Sequence, residues 1–309
     1  MAKSKANILL TGAFNYSEKQ IKAISELGFE TTFLQNEKDE ITDYEKFNAV
    51  IANGLFLHHD ISEFKNLKYI QLTSAGFDRV PMDYIKKNDI IIHNARGVYS
   101  IPMAEHAVLK TLELYKKSWT FYTNQQKGEW YKQRDILELY GKTVAIFGCG
   151  SVGLEIAKRL KAFGTHIIGV DILKSDSDYI EEYADISQIY DILPKADIVI
   201  LTLPLNDETR GLFDKTSFGC MKESAIFINI ARGQIVCEND LIDALKEQKI
   251  MGAALDVFEQ EPLDKESELW ELENVIITPH NSFVGEGNNK RMFEVIYKNL
   301  GAWMGNENL

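Results

Sequence analysis

Short, strongly apolar runs alternate along this chain with stretches in which apolar positions return every third or fourth residue. The runs at 8–11, 49–52, 69–73 and 90–93 read as buried strands, and 17–27 and 81–87 as helices. Ser17 is placed as an N-cap and Gly28 as a stop. Repeated β-α alternation predicts a parallel sheet covered by helices on both faces. A longer amphipathic pattern follows at 101–117, with Pro102 in its first turn, where proline is tolerated. It predicts a helix that leaves this first domain. Residues 119–140 are aromatic and charged with weak periodicity. They read either as a dimerisation arm (118–140) that packs on another subunit or as a self-contained loop. The alternation resumes near Lys142, with strands expected at 144–147, 166–170, 198–203, 225–230, 252–257 and 275–278 and a helix at 238–248. A last helix, 288–304, is expected to return to the first domain. That domain is then discontinuous, 1–97 plus 285–309, around a second at 98–284.

One strand end carries more information than the rest. VAIFGCGSVG, residues 144–153, runs from an apolar strand straight into Gly148, Gly150 and Gly153. A helical pattern follows, then a second apolar run ending in Asp171. Strand, glycine turn, helix, strand and terminal acid form the dinucleotide-binding fingerprint in its full context. Gly148 permits the tight turn, Gly150 lets a pyrophosphate approach the backbone, and Gly153 lets the helix pack close to the strand. The helix N-terminus offers N–H groups and partial positive charge to the phosphates. Asp171 is placed to accept hydrogen bonds from the ribose hydroxyls. A carboxylate there repels a 2′-phosphate, and Ile172 and Leu173 supply no arginine to hold one. NAD is expected rather than NADP, with Lys174 the residue that weakens the preference.

Composition narrows the class. At 309 residues the chain exceeds a typical single core, and two domains are expected. Apolar residues at 45% and charged residues at 26% suit a soluble globular protein. A formal net charge of -12 argues against a nucleic-acid partner. No stretch resembles a transmembrane helix, and the opening residues lack a signal peptide's apolar region, so a cytoplasmic protein without a membrane partner is expected. Three widely spaced cysteines read as free thiols, and no cluster has metal-ligand spacing.

Three later segments also end apolar strands: Asn229 to Gly233 (NIARG), Leu255 to Pro262 (LDVFEQEP) and Ile277 to His280 (ITPH). In an open parallel sheet ligands bind outside those ends, so Arg232, Asp256, Glu261 and His280 are expected to converge. Reducing a ketone with hydride requires a proton for the developing alkoxide and a cation to hold a neighbouring carboxylate. Histidine suits the first task and arginine the second. A glutamate bonded to the imidazole would fix its tautomer and favour the protonated ring. Among the other histidines, His58 and His59 read as solvated, His93 and His166 as packing residues, and His106 as a structural hydrogen-bonding group. Phe56, Phe77, Tyr99 and Phe283 read either as pocket lining or as core.

The ordered set G-x-G-x-x-G, A-R-G, D-V-F-x-x-E-P and T-P-H resembles the D-isomer-specific 2-hydroxyacid dehydrogenases, from about Ile70 to the C-terminal helix. The resemblance implies an α/β protein of two domains, a Rossmann-type doubly wound parallel sheet and a smaller flavodoxin-like α/β substrate domain. It implies interconversion of a small 2-ketoacid and a D-2-hydroxyacid with NAD, in a homodimer. It assigns Arg232 to the substrate carboxylate and carbonyl, Glu261 and His280 to acid–base catalysis, and Asp256 to the cofactor near the nicotinamide. It places Ser151 and Val152 at the pyrophosphate, Leu203 and Pro204 at the adenine, Ile230 at the nicotinamide, and Thr209 at the cofactor. Ser74, Ala75 and Gly76 correspond to the substrate loop. Asn281-Ser282-Phe283 departs from the small and aromatic residues common after the histidine, which leaves the substrate open. The absence of a regulatory extension past Leu309 weighs against a serine-pathway role. An NAD(H)-sensing corepressor and a formate- or phosphonate-type dehydrogenase are the alternatives; Glu261, where formate dehydrogenases carry glutamine, favours ketoacid reduction.

Overall fold

The structure is a computed structural model that describes residues 6–306. Part of the opening sequence read above, residues 1–5, lies outside the described residues, as do 307–309. The chain divides into two compact units, Met1–Tyr99 with Gly285–Leu309, and Ser100–Val284. Among the described residues no helix is long and apolar enough to cross a membrane.

In the first unit, β1 (Ala6–Thr11), α1 (Glu18–Glu26), β2 (Phe29–Leu34), β3 (Ala49–Ala52), β4 (Tyr69–Leu72), α2 (Met82–Lys87) and β5 (Ile91–His93) follow in order. The strands form one parallel sheet in the order β2-β1-β3-β4-β5, the doubly wound arrangement of flavodoxin-like folds. Ser17 caps α1 through a capping box with Gln20. β3 and β4 are buried on both faces, which is why they read as continuous apolar runs. β2 escapes sequence reading because it is an edge strand. Its FETTFL pattern is only half-buried, and the polar positions hide it.

The second unit opens with α3 (Ser100–Tyr115) and α4 (Ser118–Lys127), separated by Lys117 at φ 51°. The amphipathic pattern therefore stops sooner than its apolar positions suggest, and the aromatic stretch begins as a helix. Then come β6 (Thr143–Phe147), α5 (Ser151–Lys161), β7 (His166–Val170), β8 (Glu182–Ala184), α6 (Ile189–Ile192), β9 (Ile198–Leu201), α7 (Lys215–Cys220), β10 (Ile226–Asn229), α8 (Glu238–Lys246), β11 (Gly252–Leu255) and β12 (Val275–Ile277). These strands make a parallel seven-stranded sheet, β12-β11-β10-β9-β6-β7-β8. The order reverses direction at β6, so the end of that strand is the topological switch point. Side chains alternate across the sheet. Ala145 and Phe147 enter one core with Phe213 and Phe227, while Val144 and Ile146 enter another with Ile156 and Leu160. Each fully buried Ile or Phe stabilises the fold by roughly 1.5–3 kcal/mol.

The strands β9, β10 and β11 end earlier than their apolar runs, at Leu201, Asn229 and Leu255. Leu203, Ile230 and Val257 stay buried without sheet pairing, because the backbone there leaves the ladder to build loops. The chain closes with α9 (Asn288–Asn306), which belongs to the first unit. Its Trp303 stacks on Phe29 and Tyr69, with ring centroids 5.9 and 5.0 Å away.

Candidate active site

The glycine turn lies at the switch point. Gly148 has φ 99°. A Cβ on Gly153 would lie 2.0 Å from the Gly148 carbonyl oxygen, so only glycine lets α5 start this close to the strand. A Cβ on Gly150 would meet nothing within 4 Å. Gly150 is also the N-cap of α5 and brings no side chain to the first-turn N–H groups. Ser151 and Val152, the first residues of α5, are half-buried beside it. Asp171 joins the end of β7 to this turn. Its Oδ2 accepts the Cys149 N–H at 2.6 Å, and its Oδ1 accepts the Leu173 N–H at 3.2 Å. Ile172 and Leu173 stand exposed next to it. An open cradle at a helix N-terminus, with a carboxylate on the neighbouring strand end, fits a dinucleotide. These residues would hold the phosphates and the ribose.

Cys149 sits inside the turn but is sealed. It is 5% exposed, and burial, with Asp171 adding to it, pushes its thiol up to about 12. At pH 8 the thiol stays protonated and unreactive. Mass spectrometry after a short iodoacetamide treatment of the native protein at pH 8 is expected to find Cys149 unmodified. Rapid alkylation there would contradict this burial.

The histidine and the carboxylate are joined directly. β10, β11 and β12 are neighbours in register, with Asn229 opposite Leu255 and Leu255 opposite Ile277. The segments that follow them therefore leave the sheet side by side. His280 Nδ1 lies 2.7 Å from Glu261 Oε2. The other oxygen of Glu261 accepts the Phe258 N–H at 3.2 Å, which fixes the carboxylate plane. The imidazole is only partly exposed, and Phe283 meets it edge-on with centroids 6.0 Å apart. Arg232 is half-buried at the end of β10, its Nη1 donating to the Ala231 carbonyl at 2.7 Å. Gly233 after it is held against the neighbouring segment, where a Cβ would fall 1.8 Å from the Phe258 carbonyl carbon. Sequence reading quotes Gly233 within the A-R-G motif but gives it no task, and this close approach supplies one.

His280 itself has φ 49°, a left-handed conformation unusual outside glycine. What holds it is Asp256. The Asp256 carbonyl accepts the His280 N–H at 2.8 Å. Its carboxylate accepts the Asn281 N–H at 2.8 Å, the Ser282 N–H at 2.9 Å and the Thr278 hydroxyl at 2.6 Å. Asp256 is 1% exposed. The residue expected at the nicotinamide thus commits its carboxylate to the loop that carries the imidazole.

The structure places the other singled-out residues as follows. Thr209 is buried and closes its own loop, donating to the Pro204 carbonyl at 2.7 Å and accepting the Asn206 N–H at 2.9 Å. Leu203 is buried, Pro204 is exposed, and Ile230 is buried in the core with Ile228 and Ala254. His59 is not solvated. Its ring lies between Tyr44 Oη at 2.9 Å and the Glu37 carbonyl at 2.8 Å. His93 is exposed on one side while its ring lies 5.7 Å from that of Tyr69, and His166 is exposed. Phe56 packs on Phe64 in the core of the first unit. Ser74, Ala75 and Gly76 belong to the first unit and form a turn after β4, where Ser74 Oγ donates to the Gly76 carbonyl at 3.0 Å. Asn94 Nδ2 holds the Ala75 carbonyl at 2.5 Å.

Fold and site together define a doubly wound nucleotide-binding protein with a histidine–carboxylate pair at the ends of its sheet. Residues 108–282 match the family described as "D-isomer specific 2-hydroxyacid dehydrogenase, NAD binding domain". The chain belongs to the D-isomer-specific 2-hydroxyacid dehydrogenase family. It is 35% identical over 271 residues to a D-3-phosphoglycerate dehydrogenase of Methanocaldococcus jannaschii, covering 85% of this chain but 51% of that protein. It is 35% identical over 249 residues to a glyoxylate reductase of Pyrococcus horikoshii, covering 77% and 73%. A crystal structure of a D-isomer specific 2-hydroxyacid dehydrogenase family protein from Aeromonas salmonicida superimposes with a TM-score of 0.84. It is 27% identical and covers 98% of this chain and 97% of that one. The chain thus spans about half the length of the phosphoglycerate dehydrogenase it matches.

Proposed function

We propose that this protein is an NAD-dependent oxidoreductase that interconverts a small 2-ketoacid and its D-2-hydroxyacid. The observation that carries the reading is the 2.7 Å contact of His280 Nδ1 with Glu261, on the sheet edge that also bears Arg232. NADH, held by the 148–153 turn and Asp171, would supply the hydride for the ketone carbon. Arg232 binds the substrate carboxylate and draws electron density from the carbonyl. With Nδ1 committed to Glu261, Nε2 is the ring atom that delivers a proton to the alkoxide oxygen. Glu261 stabilises the imidazolium before transfer, and the neutral ring takes the proton back in the oxidising direction. Asp256 keeps the loop in its left-handed path, so the ring stays aimed. Asp171 favours NAD over NADP.

Similarity to a glyoxylate reductase directs the first trials to two- and three-carbon ketoacids. The test is kcat/KM across a panel of glyoxylate, hydroxypyruvate, pyruvate and bulkier ketoacids, with NADH and NADPH, and with formate as an alternative hydride donor. Efficient ketoacid reduction with NADH is expected. NADH binding without turnover of any acid would favour a sensor instead, and formate oxidation would favour the second alternative.

We also propose a homodimer built on the second unit. α3, α4 and the edge strand β12 border a groove of about 1080 Å³ whose lining includes Leu114, Trp119, Met251, Trp270 and Ile276. The same chain presents Trp130, 91% exposed, and Tyr131 just beyond α4. A groove and projecting aromatics on one subunit suit an isologous pairing, in which each copy fills the other. Light scattering is expected to give a dimer for the wild type and a monomer for Trp270→Glu. A monomeric wild type at micromolar concentration would refute the pairing.

A further inference from the structure

The loop that carries His280 is anchored from a second direction. α3 passes beside the end of β12, and His106 on that helix places Nε2 3.3 Å from the Thr278 hydroxyl oxygen. Thr278 gives its one hydroxyl proton to Asp256 Oδ1 at 2.6 Å. Its oxygen can then only accept from His106, so the ring must carry its proton on Nε2. The chain of bonds continues from Asp256 to the N–H groups of Asn281 and Ser282, and through its carbonyl to the N–H of His280. A half-buried imidazole on one helix is therefore two side chains away from the backbone that aims the acid–base group.

We propose that His106 is a positioning residue for catalysis, a fixed N–H donor that orients Thr278 and Asp256 and through them the His280 loop. The inference rests on the reading of His280 as the proton donor. His106 suits a neutral donor. Burial holds its pKa below the ordinary imidazole value, outweighing the attraction of Asp256, and Lys110 adds to the depression while Glu113 opposes it. A protonated ring would bring a permanent charge into a partly desolvated contact. A ring in the other tautomer would turn a lone pair toward the hydroxyl oxygen. The tautomer change loosens Thr278, and Asp256 then holds a left-handed loop with one partner less firmly placed. A histidine that merely filled space would need neither a particular tautomer nor a partner at the base of the catalytic loop.

The test compares His106→Leu, which keeps bulk and removes the donor, with His106→Gln, whose amide nitrogen can take the position of Nε2. For the leucine variant kcat is expected to fall about tenfold, with KM for NADH changed by less than about twofold. Glutamine is expected to restore kcat to within about twofold of wild type. Thr278→Val should lower kcat similarly, and the double variant His106→Leu/Thr278→Val should be no slower than the worse single variant. Nitrogen-15 shifts of the wild-type imidazole, which need no variant to fold, should show a neutral Nε2–H tautomer at pH 7. Wild-type kcat in His106→Leu, a glutamine variant as slow as the leucine one, or an Nδ1–H tautomer would each overturn the proposal. His280→Ala measured in parallel separates the two levels. If it too keeps its activity, the reading of His280 fails; if it is inactive while His106→Leu is not, only the role of His106 does.

Discussion

Replacing His280 by alanine is expected to lower kcat for ketoacid reduction by about 10² to 10⁴, the usual contribution of a positioned general acid. Without the imidazole, solvent must protonate an alkoxide inside the site, while hydride donor and carboxylate clamp remain. KM for NADH should therefore stay within a few-fold of wild type. The loss is expected to be larger than that of Glu261→Gln, which keeps a hydrogen-bond acceptor for Nδ1 but removes the charge that stabilises the imidazolium. Single-turnover reduction under saturating NADH measures the step directly. A rate for His280→Ala within threefold of wild type would remove the acid–base assignment.

Arg232→Ala is expected to lower kcat/KM for the ketoacid by about 10² to 10⁴. Two charge-assisted hydrogen bonds to a carboxylate, each worth roughly 1.5–3 kcal/mol, are lost together. Lysine should restore only part of this, because it supplies charge without the planar fork. Initial rates against substrate concentration separate the outcomes. Equal kcat/KM for the lysine variant and wild type would mean that charge alone is used, and an unimpaired alanine variant would take Arg232 out of the site.

Complete burial makes a strand plain in the sequence, and the edge strands β5 and β12 show as well because their residues are nearly all apolar. β6, β9 and β10 lie in the middle of their sheet and are apolar on both faces, so each shows as an uninterrupted run. β2 and β8 are edges, half-wetted and polar, and leave no comparable trace. Strand ends were overrun for a related reason. Leu203 and Ile230 are as apolar and buried as strand residues, but their backbones have turned into loops, and apolarity does not report a backbone angle. In the site, the His280–Glu261 pair was legible because each partner follows a recognisable strand end. The task of Asp256 was not. A carboxylate after a strand reads as a ligand for something bound, and the sequence does not show that its oxygens accept two backbone N–H groups and one hydroxyl that only the folded loop brings together. The turn that the Thr209 hydroxyl closes, from Pro204 to Asn206, leaves no trace in the sequence either. Histidines were the hardest to sort, because His59 and His58 are adjacent in sequence while only His59 has partners on both ring nitrogens.

Asn281 and Ser282 give Asp256 only their amide hydrogens. Natural variation at these two places should then obey an odd rule. Chemical character is loosely constrained at Asn281, whose side chain is in solvent, and limited mainly by size at Ser282, which is nearly enclosed. Proline alone is barred from both, since it has no hydrogen to offer. Libraries built at this loop can therefore randomise 281 broadly and 282 among small residues without dislodging the imidazole next door.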